Sequence, residues 1–232
     1  LSIENIIGTG NNDRILGNDA SNVLEGNDGN DTIAGGTGKD RILGGTGNDV
    51  LVGQDEISAN YFDGGEGFDT IDYASSTVAT NINLSTGKIL NSQTISSIIN
   101  IETVNGGKAN DTLIGDAQNN LLYGDEGNDT IRGNSGSDTL IGGYGNDTLV
   151  LSETLKSTDF VVTTKNHGND IIIGFDILGL TPSHIDKSDK LDLSQFYDIY
   201  GNSISLEDMT LSFNKNGNLL ITFYEGSSLP SL

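Results

Sequence analysis

Apolar side chains recur once every nine residues through two long stretches of the chain, and polar residues and glycines fill the spaces between them. Each nine-residue unit begins with six residues rich in Gly, Asn and Asp and ends with three residues whose middle member is apolar. Eleven units fit this pattern: GTGNNDRIL (8–16), GNDASNVLE (17–25), GNDGNDTIA (26–34), GGTGKDRIL (35–43), GGTGNDVLV (44–52), GGEGFDTID (64–72), GGKANDTLI (106–114), GDAQNNLLY (115–123), GDEGNDTIR (124–132), GNSGSDTLI (133–141) and GGYGNDTLV (142–150). Position 1 is always Gly, position 8 is always Ile or Leu, and position 6 is Asp except at Asn22 and Asn120. This regularity indicates a repeat architecture.

Each unit predicts one turn followed by one short strand. Gly, Asn and Asp tolerate positive φ and form turns, and a triplet such as Thr-Ile-Arg suits a strand whose central side chain points to one side. Two units then make one coil with strands on opposite sides. Stacked coils give two parallel sheets whose inward Ile and Leu side chains form a thin core. The predicted fold class is therefore all-β.

A longer repetition is superimposed on the nonapeptide. Residues 3–52 align with residues 101–150 without a gap, and about half of the aligned positions are identical. Both segments open with Ile-Glu, at Ile3-Glu4 and Ile101-Glu102. We therefore expect that the larger block was duplicated whole.

The nonapeptide pattern is lost at two places, and these divide the chain. We predict a β-roll over residues 1–150, with repeat blocks at 8–72 and 106–150 and an insert at 73–105. Residues 151–232 are expected to form a β-rich cap on the roll, because a solenoid needs its open end covered.

Local patterns in the insert and the cap predict further strands. Residues 73–100 contain no acidic residue, and polar and apolar residues alternate at Asn81–Leu84. This is typical of a half-buried strand, so we expect the insert to continue the roll without binding a cation. In the cap, Leu211–Phe213 and Leu219–Phe223 flank Asn216-Gly217, which is a strong signal for a β-hairpin.

The charge balance excludes several functions. The 33 Asp and Glu residues against 11 Lys and Arg give a formal net charge of −22, which repels nucleic acid and anionic membrane surfaces. No apolar stretch is long enough for a spanning helix, and the absence of Cys excludes disulfides and thiolate metal sites. Such a composition is typical either of a disordered chain or of a cation-loaded protein. Because the single Met is Met209, we expect the chain to be a piece of a longer protein.

The core that the pattern predicts is too small to hold the stack together. One buried Ile or Leu contributes about 1.5–3 kcal/mol, whereas ordering the unit costs about 1–2 kcal/mol per residue in backbone entropy. Position 6 residues two units apart would meet on one edge of adjacent coils, where carboxylates repel unless a cation lies between them. The pairs are Asp13–Asp31, Asn22–Asp40, Asp31–Asp49, Asp111–Asp129, Asn120–Asp138 and Asp129–Asp147. Such an all-oxygen, flexible site favours Ca²⁺ over Mg²⁺.

The nonapeptide resembles that of the repeat-in-toxin (RTX) family, whose unit is GGxGxDxUx. The motif covers residues 8–72 and 106–150, and Gly168–Asp170, Gly174–Asp176 and Asp189–Ser194 resemble the segment that closes such modules. The resemblance implies a right-handed parallel β-roll (a β-helix) of nonapeptide repeats that binds several Ca²⁺ ions, about six or more.

The resemblance also implies a ligand pattern. Each Ca²⁺ would be held by positions 2, 4 and 6 of one turn and positions 1, 3 and 6 of the turn one coil later, through carbonyls at positions 1–4 and a carboxylate at position 6. The implied ligand residues of the first block are Thr9, Asn11, Asp13, Asn18, Ala20, Asn22, Gly26, Asn27, Asp28, Gly29, Asp31, Gly35, Gly36, Thr37, Gly38, Asp40, Gly44, Gly45, Thr46, Gly47, Asp49, Gly64, Glu66 and Asp69. Those of the second block are Gly107, Ala109, Asp111, Asp116, Gln118, Asn120, Gly124, Asp125, Glu126, Gly127, Asp129, Gly133, Ser135, Asp138, Gly142, Tyr144 and Asp147. Further candidates outside this pattern are Asp55, Asp170 and Asp176.

The sequence departs from the family pattern in three places. Asn22 and Asn120 replace the carboxylate at position 6, so we expect their sites to be weaker or differently coordinated. Ser58 replaces another position 6 Asp, so one site is lost unless Asp55 substitutes. A two-residue insertion before Asp69 leaves its pairing open.

The leading functional hypothesis is a non-catalytic, monomeric Ca²⁺-binding module of a secreted bacterial protein, disordered where Ca²⁺ is scarce and folded at extracellular Ca²⁺. By resemblance, such modules aid export through type I secretion machinery, and they follow proteases, lipases or alginate epimerases or form adhesin stalks. The alternative is a module that binds an extracellular polysaccharide or surface, for which Arg14, Lys39, Arg41 and Arg132 are few. A free-standing enzyme has almost no support, because the sequence contains neither HExxH nor GxSxG, so any catalytic domain would lie outside this chain.

Overall fold

The regular elements of the computed structural model are strands. The structure describes residues 4–54, 58–91, 94–151, 160–162, 170–173, 190–192, 209–213 and 219–223. The strands within these ranges are β1 (Asn5–Ile7), β2 (Arg14–Leu16), β3 (Val23–Asp28), β4 (Thr32–Ala34), β5 (Arg41–Thr46), β6 (Val50–Val52), β7 (Tyr61–Glu66), β8 (Thr70–Asp72), β9 (Thr80–Asn83), β10 (Lys88–Asn91), β11 (Thr94–Ile99), β12 (Thr103–Gly107), β13 (Thr112–Ile114), β14 (Leu121–Glu126), β15 (Thr130–Arg132), β16 (Thr139–Tyr144), β17 (Thr148–Val150), β18 (Phe160–Val162), β19 (Ile171–Ile173), β20 (Lys190–Asp192), β21 (Met209–Phe213) and β22 (Leu219–Phe223).

The described strands form two sheets. The first sheet has the order β1-β3-β5-β7-β11-β10-β9-β13-β15-β17-β19-β22-β21, and the second has the order β2-β4-β6-β8-β12-β14-β16-β18-β20. Within each repeat block a strand pairs in parallel with the strand two further along the chain, so that Ile15 lies opposite Ile33 and Leu24 opposite Ile42. The chain thus alternates between the sheets and completes one coil every two strands. This confirms the predicted all-β solenoid of stacked parallel coils.

Position 8 of the repeat supplies the core. Its Ile or Leu side chain is buried in all eleven units, as Ile15, Leu24, Ile33, Ile42, Leu51, Ile71, Leu113, Leu122, Ile131, Leu140 and Leu149. The flanking positions 7 and 9 are mostly half-buried or exposed, as the alternation of side chains along a strand requires. Phe62 and Val104 are fully buried in the same layer where the nonapeptide is degraded, so the core is continuous from one block to the next.

Several strands are longer than the three residues that the repeat predicts. β3, β5, β7, β12, β14 and β16 extend into the first residues of the following turn. Pairs such as Asn27 with Gly45 and Asp28 with Thr46 carry the parallel ladder into these turns. The turns that follow these strands are therefore held by more backbone pairing than the sequence predicts.

The insert forms an antiparallel meander inside the first sheet. β10 pairs with β9 and β11 in antiparallel fashion, whereas β11 pairs in parallel with β7 and β9 with β13. The chain reverses between β9 and β10 at Gly87, whose φ is 64°. The inward side chains are Ile82, Ile89 and Ile98, all buried. The strand predicted at Asn81–Leu84 is confirmed as β9, but the alternation of polar and apolar residues does not predict the reversal.

The insert places the second block half a coil out of phase with the first. β8 and β12 are neighbours in the second sheet, while three strands of the insert separate β7 from β13 in the first. Strands β12 to β17 therefore occupy the opposite sheets from β1 to β6, to which they correspond in sequence. Leu24 and Leu122 occupy equivalent positions of the two blocks and are both 0% exposed, although they lie in different sheets.

Both sheets continue beyond residue 150. β19 pairs in parallel with β17, and β18 and β20 extend the second sheet in the same sense. β21 and β22 pair as the antiparallel hairpin that the sequence predicts, while its Asn216-Gly217 turn lies outside the described residues. Across the described ranges, the structure contains no helix with the length and apolar character needed to cross a bilayer.

Candidate metal centre

The six-residue turns carry glycine where neighbouring coils leave no room for a side chain. Position 4 has positive φ in Gly29, Gly38, Gly47, Gly67, Gly127, Gly136 and Gly145. A Cβ on Gly47 would overlap the carbonyl oxygen of Gly29 in the preceding coil. Position 2 is also left-handed in several turns, where short polar residues adopt it at Asn27, Asp125 and Asn134. The turns of successive coils are therefore stacked with their backbones in direct contact.

Side chains at position 6 form a hydrogen-bonded ladder along each edge of the stack. Asp31 Oδ1 accepts the backbone N–H of Asp13 at 2.7 Å, and Asp49 Oδ1 accepts the N–H of Asp31 at 2.8 Å. The turns of the first edge contribute Asp13, Asp31, Asp49, Asp69, Glu102, Asn120 and Asp138. Those of the second edge contribute Asn22, Asp40, Asn60, Ser96, Thr80, Asp111, Asp129, Asp147 and Asp170. Each carboxylate is thus fixed to the coil that precedes it.

The second oxygen of these carboxylates is buried and receives no hydrogen bond. This holds for the Oδ2 atoms of Asp31, Asp40, Asp49, Asp69 and Asp129, whose side chains are at most 2% exposed. A buried polar atom without a partner costs about 1–3 kcal/mol, and more when it is charged. Each of these oxygens therefore needs either a proton or a neighbouring positive charge.

A backbone carbonyl from the next coil lies beside several of these orphaned oxygens. A Cβ built on Gly26 would overlap both Asp31 Oδ2 and the carbonyl oxygen of Gly44, so these two oxygens converge on the same space. Gly124 shows the same relation to Asp129 Oδ2 and to a carbonyl of the following coil. Two oxygens that border the same space repel each other unless a cation lies between them. Position 1 must be glycine because a side chain would fill that space.

The electrostatics point to the same need. Burial, with a smaller contribution from neighbouring carboxylates, raises the pKa of Asp129 to about 8 and that of Asp69 to about 6. Burial also raises the pKa of Asp40 and of Asp49. Without a cation the folded chain therefore disfavours the ionised form of each of these carboxyls.

The donor set fits Ca²⁺. No group of three or more His, Cys, Asp or Glu side chains converges among the described residues, so a complete coordination shell has to include backbone carbonyls. Carboxylates and carbonyls in a flexible turn are the ligands that Ca²⁺ prefers, whereas Zn²⁺ and softer metals favour nitrogen and sulfur. The turns offer both kinds of oxygen in each coil.

The structure brings together all six position 6 pairs that the sequence predicts. An N–H to side-chain oxygen bond of 2.7–2.8 Å joins Asp13–Asp31, Asn22–Asp40, Asp31–Asp49, Asp111–Asp129, Asn120–Asp138 and Asp129–Asp147. The other predicted ligand residues of the two blocks lie in these same turns. At position 3 the side chains of Asp28, Thr46, Glu66 and Tyr144 are exposed, which suits a contribution through their carbonyls.

The two asparagines at position 6 lie in the ladder but lack the second carboxylate oxygen. Asn22 Oδ1 accepts the N–H of Asn18, and Asn120 Oδ1 accepts the N–H of Asp116, each at 2.8 Å. Asn120 Nδ2 is buried and donates no hydrogen bond. An amide nitrogen carries no negative charge for a cation, so these two turns offer one charged ligand fewer.

The degraded unit keeps its register through Asn60 and not through Ser58. Asn60 Oδ1 accepts the N–H of Asp40 at 2.8 Å, so the interpretation of Ser58 as the position 6 residue is wrong. The two extra residues lie in the turn between β6 and β7, so a fixed nine-residue count reaches Ser58 instead of Asn60. The same insertion displaces Asp69, which pairs with Asp49 through an N–H to Oδ1 bond of 2.8 Å.

Outside the two blocks, Asp170 extends the ladder of the second edge. Asp170 is buried, and its Oδ1 accepts the N–H of Asp147 at 2.9 Å. Asp55 and Asp176 lie outside the described residues. Sequence reasoning missed Glu102 as a member of the ladder, although its place in the Ile-Glu pair that opens both blocks is a signal that points to it.

Comparisons with known proteins agree with the repeat. The family model described as the RTX calcium-binding nonapeptide repeat matches residues 7–42, 16–51, 35–71, 100–131 and 123–153, which together cover just over half of the chain. No curated protein sequence matches. Among solved structures, an extracellular lipase from Serratia marcescens matches with 17% sequence identity and a TM-score of 0.27 over 93% of this chain. The chain spans 37% of the length of that lipase chain.

Proposed function

The chain belongs to the RTX calcium-binding nonapeptide repeat family, and from this premise we propose that it is a Ca²⁺-binding β-roll module that folds when Ca²⁺ binds. The observation that supports the proposal is the set of buried carboxylate oxygens without donors, which recurs at Asp31, Asp40, Asp49, Asp69 and Asp129. A desolvated carboxylate is tolerated only when a cation or a full set of hydrogen bonds compensates it.

The ligands follow from the register of the turns. The carboxylates at position 6 act as the charged ligands, and the carbonyls at positions 1–4 complete the shell. One ion would thus lie beside Asp31 Oδ2 and the Gly44 carbonyl, within reach of the Asp49 carboxylate. About six such ions would offset more than half of the formal net charge of −22.

Folding and Ca²⁺ binding are coupled because neither the small core nor the metal-free turns can hold the chain folded. The core has one inward side chain per unit, and the metal-free turns bury like charges against one another. An ion that binds only the folded chain adds its binding free energy to the folding free energy. The chain is therefore disordered where Ca²⁺ is scarce and ordered where it is plentiful.

This coupling suits a secreted protein. Extracellular modules bind Ca²⁺ with dissociation constants of about 10⁻⁴–10⁻³ M, so they remain unloaded in the cytosol and fold outside the cell. The module then stabilises and caps a larger protein without taking part in catalysis, and the unfolded form is the one passed to type I secretion machinery. The role in secretion is tested separately by fusing a reporter to the chain. Its export is then compared in cells with and without type I secretion machinery.

A Ca²⁺ titration followed by far-UV circular dichroism tests the folding proposal. The full chain in excess chelator should give a disordered spectrum, and added Ca²⁺ should convert it cooperatively to a β spectrum. Mg²⁺ at the same concentrations is the control, and it should be much less effective because it demands tighter octahedral geometry. A β signal that is unchanged in excess chelator would sink the proposal.

A further inference from the structure

The last turn of the first block leaves an unpartnered carboxylate oxygen where the repeat ends. Asp69 is 0% exposed and its Oδ2 receives no hydrogen bond, as for Asp31 and Asp49. Those two residues face another nonapeptide turn in the next coil. Asp69 instead faces the end of the insert at residues 100–102, where the nonapeptide pattern provides no ligand.

Asn100 supplies the carbonyl that a glycine supplies in the repeat. A Cβ on Gly44 would overlap both Asp49 Oδ2 and the carbonyl oxygen of Gly64. A Cβ on Gly64 would in the same way overlap the carbonyl oxygen of Asn100 and lie 2.5 Å from Asp69 Oδ2. Asn100 adopts a φ of 54° and is fixed by a hydrogen bond from its own side chain. A backbone oxygen and a carboxylate oxygen therefore converge at the junction as they do in the repeat turns.

Glu102 takes the place of the position 6 aspartate. Its Oε2 accepts the N–H of Asp69 at 2.9 Å, which carries the ladder of the first edge from the last repeat turn to the end of the insert. The second edge loses its carboxylates at the same level, where Asn60, Ser96 and Thr80 occupy the corresponding turns. Among the described residues the two edges of the junction are thus chemically different, and two facing carboxylates are found there on the first edge.

We propose that a divalent cation of the size of Ca²⁺ binds at this junction, held by the carboxylates of Asp69 and Glu102 and the carbonyl of Asn100, and that it joins the two repeat blocks. The short turn offers fewer carbonyls than a nonapeptide does, and the longer Glu side chain, which can bind Ca²⁺ through both oxygens, makes up for the loss. The inference rests on the proposed function, because it takes Ca²⁺ to be the ion that loads the stack.

Counting the bound ions tests the proposal. Equilibrium dialysis against ⁴⁵Ca²⁺ should show one ion fewer per chain for Glu102→Gln than for the wild type. The matched control is Glu4→Gln, the equivalent residue at the start of the first block, whose carbonyl accepts the N–H of Val23 as that of Glu102 accepts the N–H of Leu121. Glu4→Gln should leave the count unchanged. An equal count for Glu102→Gln and the wild type overturns the junction site, while a wild type that binds no Ca²⁺ overturns the proposed function as well.

Crystals of the full chain with Ca²⁺ give a test that needs no variant. Anomalous difference density about 2.3–2.6 Å from both the Asp69 and the Glu102 carboxylates would support the site. Peaks at the repeat turns with none at the junction would overturn it while leaving the proposed function in place. This measurement decides the matter if Glu102→Gln fails to fold.

Discussion

Lowering the pH in the absence of Ca²⁺ should favour the folded chain. Burial raises the pKa of Asp129 from its ordinary value of 3.8 to about 8, and that of Asp69 to about 6. A carboxyl whose pKa is higher in the folded chain takes up a proton on folding. The destabilisation of the folded chain by such a carboxyl is absent below about pH 4 and grows as the pH rises to the folded pKa. Stability therefore falls with rising pH over about pH 4–8 for Asp129 and about pH 4–6 for Asp69.

The size of this penalty is set by the raised pKa. One pKa unit corresponds to about 1.36 kcal/mol, so at pH 7 the carboxyl of Asp129 costs the metal-free fold about 4 kcal/mol at most, and about 2–4 kcal/mol once solvent screening is included. Asp129→Asn removes the titrating group and keeps Oδ1 as the acceptor for the N–H of Asp111. The variant should stabilise the metal-free fold at pH 7 by this amount and should bind Ca²⁺ more weakly.

The assay is circular dichroism in buffer cleared of metal by a chelating resin, between pH 8 and pH 5. The β signal of the wild type should increase as the pH falls, and at pH 7 Asp129→Asn should show more of it than the wild type does. The control is Asp19→Asn, an exposed residue outside the ladder, which should behave as the wild type. With Ca²⁺ the sign reverses, because loading displaces protons and the affinity falls as the pH drops. A metal-free chain that is no more ordered at pH 5 than at pH 8 would refute the reasoning.

Three further variants probe the turns and the core. Gly124→Ala places a Cβ against Asp129 Oδ2 and should lose bound Ca²⁺ by dialysis, whereas Gly10→Ala, which meets nothing within 4 Å, should not; equal losses would contradict the steric argument. Phe62→Ala should lower the free energy of unfolding of the Ca²⁺-loaded chain by about 3–5 kcal/mol in urea titrations. A loss below about 1 kcal/mol would mean that the core contributes little to the stability of the folded chain. Asn48→Ala removes the acceptor for the exposed backbone N–H of Phe68 and should cost about 0.5–1.5 kcal/mol in the same titration, so a neutral result would show that this contact between adjacent turns does not stabilise them.

The nonapeptide predicts the coil because each of its fixed positions has one structural role. The Ile or Leu at position 8, as in Leu51, is an inward side chain in either sheet. The Asp at position 6, as in Asp49, meets its counterpart one coil away because two units close one coil. Because residues with these roles recur from unit to unit, the fold class and the six paired turns can be predicted from the sequence.

The features that the sequence does not predict depend on contacts between segments that share no motif. Asn60 takes a ladder position after an insertion whose location only the strand register reveals. Glu102 reaches Asp69 across 33 residues because the insert folds back within one sheet. The reversal at Gly87 has no counterpart in the nonapeptide, so its effect on the phase of the second block is invisible to a count of units.

The half-coil offset between the two blocks bears on how such chains change length during evolution. If each unit were suited to only one sheet, a duplicated block displaced by half a coil would pack poorly, because each of its strands would lie in the opposite sheet. Here β12–β17 repeat the sequence pattern of β1–β6 from the opposite sheets and bury the equivalent side chains. A change in length by a single nonapeptide, which is half a coil, is therefore compatible with the architecture. Lengthening the stack by one nonapeptide would exchange the edges on which the later turns present their carboxylates, as the offset between the two blocks does.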